Sequence, residues 1–145
     1  MSRYENFHGD PAASALAGLV PADVLLDLAD GCEQAGPDQQ AACLSAALHV
    51  MGGHLSRRDD QGAPERLERA GELIRAGVFE AAALALLAPT TVFTLARLAD
   101  GTVIAQVQLV AGRGAHSRDA RWPGMALLAA LLRALADDVG QAGAA

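Results

Sequence analysis

The spacing of apolar residues changes once along this 145-residue chain, and that change limits the folds open to it. Up to Pro89 and again after Pro123, apolar residues recur at helical spacing. Between them, TTVFTLARLADGTVIAQVQLV (90–110) alternates, and branched and aromatic side chains replace alanine. Alternation interrupted by Asp100-Gly101 reads as a β-hairpin. The fold class expected is therefore α+β, with hairpin strands at about 91–98 and 102–110.

The hairpin register can be argued from its two faces. A two-residue Asp-Gly turn would pair Leu98 with Val103 and put glutamines beside Phe93 and Leu95. A three-residue loop, Ala99-Asp100-Gly101 with Gly101 as a left-handed bulge, segregates the faces cleanly. It sets Phe93, Leu95, Val103, Ala105, Val107 and Leu109 on one side, and Thr94, Ala96, Thr102, Ile104, Gln106 and Gln108 on the other. A one-residue slip moves every side chain to the wrong face, so the second register is expected.

Prolines mark the helix starts. Asp10-Pro11 predicts a short helix over 11–17 after a loose segment 1–9. Pro21 opens a second, with Val24, Leu25 and Leu28 on one face, ended by Gly31 or Gly36. Pro37 opens a third, Asp38–Met51, with Cys43, Leu44, Ala47, Leu48 and Met51 as its apolar stripe and Gly52-Gly53 as its stop. HLSRRDDQGA (54–63) reads as a polar loop. PERLERAGELIRAG (64–77) is a fourth helix carrying Leu67, Ala70, Leu73 and Ile74, closed by Gly77. VFEAAALALLAP (78–89), apolar on nearly all sides, is expected to be the central buried element of the helical part. PGMALLAALLRALADD (123–138) is the last helix, and its leucines can cover the hairpin. The expected organisation is one domain over 1–145. It comprises a helical region 10–63, an αββα unit 64–139 and a tail 140–145.

Composition narrows the function classes. All 11 basic residues are arginine. That excludes Schiff-base chemistry and a P-loop lysine. With the alanine, glycine and leucine excess, it fits a GC-rich bacterial or phage genome. The net charge of −6 disfavours nucleic acid as a partner, because such proteins present a basic face. Cys32 and Cys43 form no Cys-x-x-Cys pair and read as small buried side chains. Neither a signal peptide nor a membrane-length apolar run is visible, so no membrane role and a cytoplasmic location are expected.

The order of EAAALALLAP, FTLARLADGTV and the closing PGMALLAALLRAL resembles the phage-type ABA sandwich, a small αββα domain. The resemblance covers roughly residues 67–138. It implies a phage-related context and no established activity, so it assigns no functional residues. This chain departs from it in having Phe93 but no tryptophan in its first strand, and in its long preceding helical region.

Motifs for catalysis are missing. His49 and His54 have neither helical metal-site spacing nor a His-Glu-x-x-His frame, and His116 lies far away in sequence. Ser45, Ser56 and Ser117 lack a nucleophile elbow, and no phosphate-binding glycine loop occurs. Asp59-Asp60 beside Arg57-Arg58 reads as a solvated loop. No enzyme activity, metal or cofactor is therefore expected.

One stretch stands out: GRGAHSRDARWPG (112–124). Arg113, Arg118 and Arg121 offer forked donors, and Trp122 and Pro123 stand at a helix start whose free N–H groups attract anions. Convergence of the three arginines would make an anion site. Otherwise the stretch is a surface connection, with Trp122 as a hydrophobic staple. The expected function is that of a small non-enzymatic bacterial or prophage-encoded protein acting through protein–protein contact. A homodimer is expected, because a lone hairpin has two open edges. A small-ligand or anion-binding module built on 112–122 is the alternative.

Overall fold

The computed structural model describes residues 20–56, 62–110 and 112–144. Five helices and three strands follow one another in the order α1 (Ala22–Gln34), a 3-10 turn (Pro37–Gln39), α2 (Gln40–Ser56), α3 (Ala63–Arg75), α4 (Phe79–Ala85), β1 (Val92–Arg97), β2 (Val103–Gln108), β3 (Gly114–His116) and α5 (Pro123–Ala144). The α+β class and the helix–hairpin–helix order are as the sequence implies. The helix expected over 11–17 and the Arg57–Asp60 cluster lie outside the described residues.

The centre of the molecule is α5. From Met125 to Leu132 no side chain is more than 3% exposed. The helix packs on α1, α4, β2 and β3, so it has no solvent face over two turns. Its composition makes this possible. Ala126, Ala129, Ala130 and Ala134 let neighbouring backbones come close, while Leu127, Leu128 and Leu132 fill the space between. The expectation that 78–89 would be the central helix is corrected here. That segment forms only the seven-residue α4, with Leu84 at its surface. Both segments are apolar and rich in alanine, but only the 22-residue α5 is long enough to reach both the sheet and α1. The tail expected from residue 140 is likewise helical to Ala144. No helix among the described residues is long and apolar enough to cross a membrane.

The boundaries of α1 and α2 also differ from expectation. In α1 the buried residues are Leu25, Ala29, Cys32 and Glu33, while Val24 is exposed. The helix passes through Gly31 and ends at Gln34. A 3-10 turn precedes α2, and there Gly36 N–H donates to Gln39 Oε1 at 2.8 Å. Gly52-Gly53 does not stop α2, and His54, expected in a polar loop, is buried in its last turn. Each helical glycine costs up to about 1 kcal/mol, which packing overrides when it buries residues on both sides. Leu67 of α3 lies against Gly52, with its Cδ1 4.0 Å from where a Cβ would stand.

The hairpin has the three-residue loop. Arg97 stands opposite Val103, Leu95 opposite Ala105 and Phe93 opposite Val107. Leu98 N–H donates to Thr102 O at 2.8 Å and Gly101 N–H to Leu98 O at 2.9 Å. Gly101 has φ +90°. The Asp100 carboxylate accepts from the hydroxyl of Thr102 at 2.6 Å and from its N–H at 2.9 Å. These bonds, the hydroxyl's first, hold the Asp100 carboxyl below its ordinary range. The stabilisation is present above that range and is lost as pH falls through the lowered value. Gly101→Val is expected to destabilise the protein by about 1 kcal/mol or more, because a branched residue resists positive φ. A thermal melt checks this, and an unchanged Tm would reject the bulge.

Candidate functional site

The arginine stretch is not a free loop. A turn at Gly112 (φ +88°) reverses the chain, with Gly112 N–H donating to Leu109 O at 2.9 Å and Leu109 N–H to Arg113 O at 2.7 Å. The residues that follow form β3, antiparallel to β2, with Gln108 opposite Gly114 and Gln106 opposite His116. Further along, Val103 pairs with Ala120. Between those pairs Ser117, Arg118 and Asp119 face only Ile104 and Ala105, so β3 bulges by one residue. Ser117 bridges the gap. Its N–H donates to Ala105 O and its Oγ accepts from Ala105 N–H, both at 2.8 Å. Here, then, Ser117 is a buried sheet clamp. The expectation of two open hairpin edges is corrected: β2 is central, and β3 occupies its second edge.

Sheet pairing spreads the three arginines apart. Arg113 faces Asp137 near the far end of α5, at 3.8 Å with both side chains well exposed. Such a pair contributes about 0–1 kcal/mol. Arg121 and Trp122 line an open cleft beside the hairpin turn with Pro37, Asp100, Gly101 and Thr102. The 15 residues of helical rise from Trp122 to Asp137 span about 22 Å. The side chain of Arg118 is between these ends and exposed. No single point is shared by all three. Trp122 caps α5 through its carbonyl, which accepts from Met125 N–H at 3.1 Å and Ala126 N–H at 3.0 Å.

What Arg118 does contribute is backbone. Its N–H donates to Glu33 Oε2, at the focus of a charge cluster that joins three elements. Arg133 of α5 donates to both carboxylate oxygens of Glu33, with Nη2 to Oε1 at 2.6 Å. It also donates to Asp30 Oδ1 at 2.7 Å and to His116 O at 3.3 Å. Glu33 is 8% exposed. The hydrogen bonds that Arg133 donates to Glu33 raise its own pKa further, against the cost of burial. This forked, nearly enclosed pair is a structural tie between α1, β3 and α5. Sequence reasoning missed it. Its one signal was Arg133 itself, the sole charge within the apolar run 125–136, which can be buried only with an acid against it.

The remaining feature is an edge. Within the sheet, α5 packs mainly on β2 and β3, so β1 overhangs. Val92 is 62% exposed and Phe93 40%. Hydrogen-bonded pairs alternate along an antiparallel ladder. Val103 and Ala105 turn their N–H groups toward β3, so Ile104, Gln106 and Gln108 face β1. On the other side of β1, the N–H and C=O groups of Phe93, Leu95 and Arg97 point away from the sheet. Neither proline nor a bulge interrupts this edge.

No family model matches the chain, and neither a curated protein nor a solved structure matches it.

Proposed function

We propose that this chain is a small non-enzymatic bacterial or prophage-encoded protein that works through protein–protein contact, pairing with a second copy of itself along β1. The observation that carries the reading is the outer β1 edge, on which no described strand pairs and beside which apolar side chains are exposed. Natural sheets protect such an edge with lysine, proline or a bulge unless it serves pairing.

The edge is self-complementary. A two-fold axis at Leu95 pairs Leu95 with its own copy and sets Phe93 against the partner's Arg97. The residues with outward N–H and C=O groups are then the bonded ones, and the two three-stranded sheets join into one of six strands. No like charges meet. Each arginine lies opposite an aromatic ring, and Val92, Thr94, Ala96 and Leu98 on the outer face are uncharged.

Light scattering at micromolar concentration is expected to give twice the 14.8 kDa monomer mass. Phe93→Pro is expected to give a monomer with unchanged circular dichroism. The N–H it removes faces away from β2, where an edge strand tolerates proline. A parent protein that stays monomeric over a wide concentration range overturns the self-pairing.

A further inference from the structure

The two cysteines, eleven positions apart in sequence, meet in the fold. Cys32 lies in the last turn of α1 and is fully enclosed, and Cys43 lies in the first turn of α2 and is half-buried. The short segment with the 3-10 turn folds α2 back against α1. Both thiols are free, and they stand on either side of the short turn across which the end of α1 and the start of α2 pack, close enough to influence each other's charge. Cysteines at the facing ends of two packed helices are placed where side-chain rotation and a modest backbone shift can bring their sulfurs to bonding distance.

We propose that Cys32 and Cys43 are an oxidative modification site, which a hydroperoxide converts into an intramolecular disulfide. The half-buried Cys43 reacts first and the enclosed Cys32 resolves it. In the first step the Cys43 thiolate sulfur attacks a peroxide oxygen. An S–O bond forms, the O–O bond breaks, and for hydrogen peroxide the leaving hydroxide takes up a proton as water. In the second step the Cys32 sulfur attacks the Cys43 sulfur. The S–S bond forms, the S–O bond breaks, and the departing hydroxide carries off the Cys32 proton as a second water. Two thiols have lost two electrons and the peroxide has gained them.

The environment separates the roles. Burial, and then the neighbouring Cys43 and Glu33, push the Cys32 thiol far up, so it stays protonated and inert toward oxidant in bulk solution. It reacts only with the sulfur of its neighbour across the turn, Cys43. The product ties α1 to α2 one residue from Glu33, the carboxylate that anchors α1 to α5.

The test is intact-mass and peptide analysis of fully reduced protein treated with one equivalent of hydrogen peroxide and then alkylated. The expected product is a monomeric chain lighter by about 2 Da, unalkylated and joined through Cys32 and Cys43, that a phosphine reverts. Cys32→Ser is expected to stop at a Cys43 sulfenic acid that dimedone traps, and Cys43→Ser to leave Cys32 unoxidised over the same period. The proposal is overturned by a parent protein whose Cys43 proceeds to sulfinic acid while Cys32 remains alkylatable. It is equally overturned by a disulfide between two chains, or by Cys32 oxidising at the parental rate in Cys43→Ser. The parent measurement decides even where a serine variant fails to fold.

Discussion

Arg133→Met is expected to destabilise the protein by about 3–5 kcal/mol, because it leaves the Glu33 carboxylate enclosed without its counter-charge. Burial decides the size. Glu33 is almost sealed, and in the Arg133 variant it keeps, among the described residues, only the Arg118 N–H as a donor. Asp30 shares the same guanidinium, but its side chain is 47% exposed, so Asp30→Asn is expected to cost about 1 kcal/mol or less. The double variant Glu33→Leu/Arg133→Met removes both charges and is expected to recover much of the loss. Urea unfolding of the parent, Glu33→Leu, Arg133→Met and the double variant forms a double-mutant cycle with a favourable coupling between Glu33 and Arg133. Single and double variants of equal stability would argue against a buried ion pair.

Leu128→Ala is the second large effect, expected at about 2–5 kcal/mol. Leu128 is wholly enclosed in a helix that other elements cover on all sides, so the gap has no route by which solvent or a flexible loop can fill it. Leu84→Ala is the control. Leu84 is 38% exposed on α4, and its truncation is expected to cost about 1 kcal/mol or less. Denaturant midpoints at constant m-value separate the two. A loss at Leu128 no larger than at Leu84 would mean that α5 is less enclosed than described.

How far the fold was legible follows from the range of the interactions. The hairpin register was readable because Asp100, Gly101 and the alternating Val103, Ala105 and Val107 specify it within a dozen residues. β3 was not. Its pairing needs the bulge at Ser117–Asp119, and a strand of Gly, Ala and His has no branched residue to announce it. Gly52-Gly53 misled because local propensity was set against packing from α3, which lies beyond the window in which such signals act. At the candidate site, the arginines drew attention by their number. Their partners, Asp137 for Arg113 and Glu33 for the Arg118 backbone, are distant in sequence. Cys32 was readable as a buried side chain, but its nearness to Cys43 was not, since spacing along the chain says nothing about two helices folding back on each other.

The enclosure of α5 also has a consequence in time. Every described element that packs on it leaves the ribosome earlier. Until residues 123–136 emerge, α1 and α4 have no common surface to bury, and the sheet has no inner cover. The tie from Glu33 to Arg133 closes a span of 100 residues. Such a contact comes with a high loop-closure cost and forms late. The growing chain therefore carries its apolar helix faces exposed through most of its synthesis. Assembly is then concentrated into one step, the docking of the segment made last among them. Chaperone dependence during translation should accordingly end at the point where α5 clears the exit tunnel.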